Sequence, residues 1–198
     1  MDTEKLEMRL RVLEDKEEIS RLQRSYSYYL EHWEGEQIVG LFSNSPDVSV
    51  DIGKGMNVGL EGIREFFIKD QLPEGLLHLL MTLSGIVDVD PNGKTAMGRW
   101  YGFGCYAVPV DGMTRALWAV GVWENEYVKE DGKWKIKKIL FNRIFTTPFE
   151  DGWVKTPMTK IEFGVPEVGS ETRPSAFFKP YPSEEILPYH YKNPVTGK

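Results

Sequence analysis

The sequence is poor in the residues that most often bind metals or form covalent crosslinks. It has one cysteine, Cys105, among 198 residues, so no intramolecular disulfide can form and the redox compartment stays open. The three histidines, His32, His78 and His190, form neither an HxH nor an HExxH motif, which leaves no credible set of ligands for a metal. We therefore expect no metal and no cofactor.

Signals for nucleotides, membranes and nucleic acids are also missing. The glycines of Gly53–Gly59 lack the GxxxxGK[ST] pattern of a phosphate loop. No apolar run approaches the roughly 18 residues of a membrane helix, and the charged N-terminus has no secretory apolar core. The net charge of −6 comes without a dense basic block, which argues against nucleic acid. We expect a cytoplasmic protein with no nucleic-acid or membrane partner.

The chain is well supplied with residues that form a core. Hydrophobic residues at 41% and aromatics at 13% predict a globular protein and exclude general disorder. The amino-acid composition changes after Pro148, because seven of the twelve prolines lie between Pro157 and Pro194. We predict one domain over residues 1–150 and an extended arm over residues 151–198, whose aromatics pack on this subunit or a neighbour.

The N-terminal half is typical of helices. Apolar residues recur at helical spacing in two stripes, at Leu6, Leu10 and Leu13 and then at Ile19, Leu22, Tyr26, Leu30 and Trp33. We predict a helix over residues 3–33, with Asp15 and Glu18 resembling a cap and its reciprocal acid. Further helices are predicted over Glu36–Phe42 and Leu60–Leu72.

The remainder of the domain is predicted to form a sheet. Val48–Ile52 alternates like a strand, and two longer strands follow over Leu76–Asp90 and Thr95–Val108. Turns at Asp111-Gly112 and Glu130-Asp131-Gly132 join two more strands. Helices on one side of an antiparallel sheet define an α+β fold.

Four segments resemble SnoaL-like domains of the nuclear-transport-factor-like superfamily. They are Leu13–Ile19, Gly59–Phe67, Gly98-Arg99-Trp100-Tyr101 and the hairpin Tyr127–Ile136. The resemblance covers residues 8 to 150 and implies a cone, in which N-terminal helices close a curved antiparallel sheet around a cavity. Many members catalyse eliminations or isomerisations without a cofactor, using a tyrosine, a carboxylate and a histidine, whereas others bind ligands.

The resemblance transfers only part of a catalytic set to this chain. The helix tyrosine of the family's dehydratases falls on Tyr26, and their helix-end aspartate falls on Glu31, which has one more methylene. The position of the catalytic histidine lies near Met81, and His78 lies a few residues upstream. A strand aspartate falls on or near Gly104, so the His–Asp dyad is not preserved as such.

The residues themselves suggest roles for three of these side chains. His78 can accept a proton near neutral pH, although a histidine among leucines can also be a satisfied core residue. Tyr26 can donate a hydrogen bond to a developing oxyanion or simply pack in the core. Glu31 is the second candidate base. We predict that the catalytic residues are His78, Glu31 and Tyr26.

Candidate substrate contacts come from the long helix and the strands. Alternation places Trp100, Gly102 and Gly104 on one strand face, which favours a flat apolar wall with room for a planar ligand. Arg99 is a ligand anchor or an outer-face ion pair, and Asn125 is expected at the rim. One of Asn142 and Arg143 points inward. The predicted substrate-binding residues are Trp100, Tyr29, Tyr101, Arg99, Asn142 and Arg143.

Two functions of different kinds remain open from the sequence. The first is a cofactor-independent lyase for a bulky aromatic or polycyclic alcohol, which releases water or, as in SnoaL-like lyases of lignin-derived diaryl compounds, formaldehyde. The second is a non-catalytic small-molecule-binding or assembly module. The lyase requires His78 and Glu31 to face the same cavity as Trp100 and Tyr26. In either case we expect a hydrophobic aromatic ligand and a homo-oligomer, dimer or trimer.

Overall fold

Helices precede a run of long strands in the computed structural model, which describes residues 2–53, 55–69, 71–110, 112–158, 172–173 and 179–198. The elements are α1 (Thr3–Glu31), α2 (Gly35–Gly40), β1 (Ser49–Asp51), β2 (Met56–Val58), α3 (Gly59–Phe67), β3 (Leu77–Val89), β4 (Thr95–Val110), β5 (Met113–Glu130), β6 (Lys133–Pro148), α4 (Gly152–Lys155) and β7 (Thr172–Arg173). The predicted α+β fold is confirmed. The sequence pattern does not predict the short strand β2. Helix α3 ends at Phe67, before the predicted Leu72.

The strands form one curved, unclosed sheet in the order β3-β4-β5-β6-β1-β2-β7. The long neighbours β3 to β6 are antiparallel, whereas β1 lies parallel to β6, with Val50 beside Ile139. The helices pack on the inner face of this sheet. Strand β3 forms one edge of the sheet and lies next to α1. The hydroxyl groups of Ser27 on α1 and Thr82 on β3 form a hydrogen bond of 2.5 Å.

Glycines and bulges let the long strands bend, as expected for strands of this length. The β3–β4 register shifts between Leu83 and Ile86, and β5–β6 shifts between Val120 and Gly121. A side chain at Gly98 would overlap the ring of Trp100, so the indole lies flat across its own strand. The inner face is therefore lined by aromatic rings.

Buried polar groups fix the position of α1 on the sheet. The Gln23 side-chain oxygen accepts hydrogen bonds from the Asn125 amide at 2.9 Å and the Tyr127 hydroxyl at 2.8 Å. Asn125 also accepts from the Leu140 backbone N–H at 3.1 Å. Gln23 and Asn125 are both fully buried. The prediction of Asn125 at the rim is therefore wrong, because this amide satisfies polar groups inside the core.

Asp15 is also buried and does not cap a helix. The helix runs unbroken from Thr3, and Asp2 is its N-cap. The Asp15 carboxylate instead accepts from the Trp134 indole N–H at 2.7 Å and from the Lys129 ammonium at 2.5 Å. This carboxylate ties α1 to the β5–β6 hairpin.

The last described part of the predicted C-terminal arm, residues 179–198, lies on the outer face of its own sheet. The Tyr181 N–H donates to the Ile144 carbonyl at 2.8 Å. His190 is buried between Glu124 and Asp88, with ring nitrogens 3.4 and 3.5 Å from their oxygens. This segment packs on its own subunit, while residues 159–171 and 174–178 of the predicted arm lie outside the described residues.

Removing the Asp15 carboxylate should destabilise the domain. We expect Asp15→Ala to lower the free energy of unfolding by about 1–3 kcal/mol, because it leaves the Trp134 N–H and the Lys129 ammonium without their buried acceptor. Chemical denaturation followed by tryptophan fluorescence measures the change. Glu18→Ala, at an exposed position one turn away, is the matched control and should stay within about 0.5 kcal/mol of wild type. Equal stability of the two variants would contradict this role of Asp15.

Candidate active site

Four polar side chains meet on the inner face of the sheet near the end of α1: Tyr26, His78, Tyr106 and Arg143. The rings of His78 and Tyr106 stack with centroids 4.7 Å apart and planes 22° apart. Tyr106 is near enough to Tyr26 to add to the raised pKa of that phenol, and the charge of Arg143 acts to lower the pKa of both Tyr106 and His78. We call these four residues the inner cluster.

Strand pairing brings three members of the inner cluster together. His78 on β3 lies directly opposite Tyr106 on β4. Arg143 is opposite Gly121, which is itself opposite Gly102, so Arg143 shares the inner face. Asn142 is opposite Val122 and shares the outer face. The structure therefore settles the open question of β6: the arginine points inward.

Helix α1 supplies the fourth member and much of the apolar surroundings. Tyr26 packs edge-on against Trp123 at 5.7 Å and Phe67 at 6.0 Å between ring centroids. Trp33, just beyond the helix, packs edge-on against His78 at 5.5 Å. Tyr26 is only 1% exposed and His78 only 7%. These rings exclude water from Tyr26 and His78, whereas Arg143 is only partly buried.

Burial sets the protonation states of the inner cluster. Desolvation lowers the pKa of His78 to about 4, and the charge of Arg143 lowers it further, while hydrogen bonds to the backbone of His78 and Leu30 act in the opposite direction. Burial also raises the pKa of Tyr26 and of Tyr106. At neutral pH the cluster thus holds a neutral imidazole, two protonated phenols and a guanidinium whose pKa is lowered by burial.

A groove of about 410 Å³ lies between α1 and the edge strand β3. It is lined by Arg24, Ser27, Tyr28, Glu31 and residues 79–83, and its walls are mostly apolar. No member of the inner cluster lines it. The groove and the cluster are linked along the chain, because Glu31 follows Leu30, whose backbone meets the imidazole, and Leu79 follows His78. Glu31 therefore lies in a different space from Tyr26, His78 and Trp100.

The planar slot predicted beside Trp100 is filled by the protein itself. A side chain at Gly102 would meet Phe141 at 2.7 Å, and one at Gly104 would meet the Tyr106 hydroxyl at 2.7 Å. The Trp100 ring packs edge-on against Tyr127, 5.8 Å away between centroids. The glycines accommodate internal aromatic rings, so the prediction of a ligand space at this point is wrong.

The structure separates the remaining predicted contacts. Arg99 pairs with Glu124 on the outer face and donates to the Pro188 carbonyl at 3.1 Å. Tyr101 lies on the same face and is 52% exposed. Arg99, Tyr101 and Asn142 therefore cannot contact a ligand that lies against Tyr26. Tyr29 is partly buried against the core, and Glu31 faces the groove rather than Trp100.

Tyr106 is the member of the inner cluster that sequence reasoning missed. It continues the face of Trp100, Gly102 and Gly104 by simple alternation. The β3–β4 pairing places it opposite His78. Alternation along β4 is present in the sequence, but this pairing is not: the register set by the turn at Pro91-Asn92-Gly93 would place Ala107 opposite His78, and the bulge between Leu83 and Ile86 shifts it by one residue.

The described residues lack the features of a metal site and of a membrane-spanning helix. No group of three or more His, Cys, Asp or Glu side chains in this part of the chain could hold a metal ion. Among the same residues, no helix combines the length and the apolar character that a membrane-spanning segment requires.

Several solved structures share this architecture. Hexachlorocyclohexane dehydrochlorinase LinA-type3 from Novosphingobium barchaimii has a TM-score of 0.60 at 16% identity, over 71% of this chain and 93% of that one. A candidate scytalone dehydratase from Novosphingobium aromaticivorans has a TM-score of 0.59 at 19% identity, over 70% and 90%. An NTF2-like protein with a cystatin-like fold from the same organism has a TM-score of 0.53 at 20% identity, over 78% and 94%. At these identities the likeness is one of fold.

The sequence comparisons agree with the structural ones. None of the curated proteins matches this sequence. The family model of the SnoaL-like domain, however, matches residues 11–139. That match runs from the first half of α1 into β6 and includes the segments on which the resemblance was based. The chain belongs to the SnoaL-like domain family.

Proposed function

We propose that this protein is a cofactor-independent lyase that acts on a bulky aromatic or polycyclic alcohol. The observation that carries the proposal is the inner cluster, in which a neutral imidazole, a partly buried guanidinium and two phenolic hydroxyls come together on the inner face of the sheet. Structural neighbours include a dehydrochlorinase, and a dehydrochlorinase also removes a small molecule from its substrate. The substrate, the leaving group and the role of each residue are our proposal.

His78 is the proposed base. Desolvation and the neighbouring Arg143 keep the imidazole neutral at neutral pH, so it can accept a proton without first losing one. The low pKa makes it a weak base in the resting protein. The proton therefore has to return to the substrate or the leaving group within the same turnover.

Tyr26, Tyr106 and Arg143 would stabilise the charge that develops on oxygen. The raised pKa values of both tyrosines keep their hydroxyls as hydrogen-bond donors. The guanidinium supplies a fixed positive charge that water screens only in part. Departing hydroxide, in a dehydration, or an alkoxide, in a retro-aldol step, would be stabilised by the same groups.

The groove is the proposed place for the apolar body of the substrate. Its volume of about 410 Å³ suits a molecule with one or two rings. Leu79, Leu80 and Met81 supply apolar wall, and Glu31 could accept a hydrogen bond from a substrate hydroxyl at the far end. Glu31 then orients the substrate or acts as a second base, as the sequence suggested.

A binding module without chemistry is the second candidate. The neighbours that the structure gives to His78 are Trp33, Tyr106, Arg143 and the backbone of Leu30. The charged group among them is a cation, and the resemblance places a dehydratase aspartate on or near Gly104. With a cation acting on the imidazole, the inner cluster could bind a ligand oxygen and go no further.

Mass spectrometry of turnover mixtures tests the lyase directly. Incubation with diaryl diols, hydroxylated steroids and related aromatic alcohols should release water or formaldehyde without added cofactor or metal. We expect His78→Gln to lower the rate by about 10² to 10⁴-fold, as for other general bases, and Tyr106→Phe by about 10² to 10³-fold.

Matched variants on the outer face serve as controls for these losses. His190→Gln and Tyr101→Phe change the same residue types away from the inner cluster and should retain turnover. Turnover that survives His78→Gln would refute the assigned base. Absence of turnover, together with thermal stabilisation by the same aromatics, would support the binding module instead.

The protonation state of His78 predicts a pH dependence of stability. A histidine with a pKa of about 6.5 when unfolded and about 4 when folded contributes stability that is complete above pH 6.5. That contribution falls by about 3 kcal/mol as the pH decreases toward 4, because only the unfolded state takes up the proton. Urea denaturation at several pH values should show a smaller decrease for His78→Gln than for wild type or for the exposed-site control His32→Gln. Equal decreases in all three proteins would contradict a neutral buried His78.

A further inference from the structure

The first three turns of α1 extend beyond the domain that the rest of the helix helps to build. Its buried residues begin at Asp15 and continue through Leu30. Before Asp15, Val12 is half-buried, and every other described residue is exposed. A helical segment of this length is marginal in water without tertiary contacts, so its amphipathic pattern needs a physical reason.

An apolar stripe runs along this projecting segment. Leu6, Leu10 and Leu13 are 47%, 54% and 65% exposed. Their spacing of four and three residues matches the alternating core positions of a coiled coil. At 100° per residue they lie about 150° around the axis from the core-facing side of α1. The stripe therefore faces away from its own domain.

The charges beside the stripe follow a pattern. With Leu10 as an a position and Leu6 and Leu13 as d positions, Glu7 and Glu14 fall at e and Arg9 at g. In a parallel pair of helices, a g residue faces the e residue five positions later in the partner. Arg9 of each chain would then face Glu14 of the other, and Glu7 would face the N-cap Asp2, a like charge at the very end of the helix. An antiparallel pair would instead place like charges together. Neither Arg9 nor Glu14 has an ion-pair partner within the described part of its own chain.

We propose that the N-terminal stripe of α1 binds a second copy of this chain as a parallel, in-register helix pair. The leucines form the buried seam, and two symmetric Arg9–Glu14 pairs set the orientation, as expected for an isologous two-fold interface. The core-facing side of α1 lies opposite the seam. Beyond Leu13 the outward positions are polar, at Glu17 and Ser20, and further along the same face Arg24, Ser27 and Glu31 line the groove. The pairing is therefore confined to the segment before Asp15, and its residues belong neither to the inner cluster nor to the groove.

Analytical ultracentrifugation of the full chain tests the interface. Wild type should associate to a dimer, and Leu10→Glu should sediment as a monomer across the concentrations where wild type is dimeric. Glu4→Lys, on the far side of the helix, is the matched control and should leave association unchanged. A monomeric wild type, or an oligomer unaffected by Leu10→Glu, would overturn the proposal.

Charge exchange tests the orientation separately. Arg9→Glu should raise the dissociation constant of the dimer at least tenfold, and Arg9→Glu/Glu14→Arg should restore it. In a Cys105→Ser background, oxidation should crosslink Leu6→Cys to itself and Leu13→Cys to itself, whereas Glu4→Cys should remain uncrosslinked. Failure of either self-crosslink, or tighter association of Arg9→Glu, would overturn a parallel in-register pair.

Discussion

The position of α1 on the sheet is the constraint on which the rest of this molecule depends. The helix is amphipathic only in part, and its placement relies on two buried polar contacts, Asp15 with the β5–β6 hairpin and Gln23 with Asn125. Polar contacts of this kind are directional, so they fix rotation and register where apolar contacts tolerate sliding. Tyr26 follows Gln23 by one turn, and Leu30 follows Tyr26 by another. Once Gln23 is bound, the phenol faces Trp123, and the end of the helix meets His78. The inner cluster is therefore a consequence of the same contacts that hold the fold together.

Burial determines the electrostatics of the inner cluster, and it does so at a cost in stability. A guanidinium, an imidazole and two phenols lie together, and aromatic rings exclude water from the imidazole and from Tyr26. Only the guanidinium carries a charge there. The imidazole remains neutral partly because that charge is close, and the phenols keep their protons because a phenolate would be poorly solvated. Burying several ionisable groups together shifts their pKa values and lowers the stability of the fold. Such clusters are typical of functional sites.

Much of the fold could be predicted from local patterns, because helical and strand periodicity, hairpin glycines and the SnoaL-like segments all act over short stretches of sequence. The predictions that are wrong share one physical cause, which is contact between residues far apart in the sequence. Asn125 and Asp15 are of residue types that usually lie at surfaces, and only partners about one hundred residues away make their burial favourable. The inward face of β6 depends on a bulge at Val120–Gly121 in the pairing with β5, which alternation along one strand cannot reveal. Alternation along β4 correctly places Gly102 and Gly104 on one face. The aromatic rings that fill the space above them, however, come partly from other strands.

The neighbours of His78 restrict the kind of elimination that the inner cluster could support. A carboxylate beside a histidine stabilises the imidazolium and allows the proton to be held between steps. Among the described residues, the charge that acts on the pKa of His78 is the cation of Arg143, and the Tyr106 hydroxyl lies over Gly104. An imidazolium in this position would be repelled and poorly solvated, so its lifetime would be short.

The arrangement therefore favours a reaction in which His78 accepts a proton and returns it nearly at once, to a departing hydroxyl or to the carbon that lost an aldehyde. Arg143 and the two phenols would stabilise the oxygen charge during that brief exchange. The same cation that weakens His78 as a resting base thus contributes the electrostatic stabilisation that the proposed reaction needs.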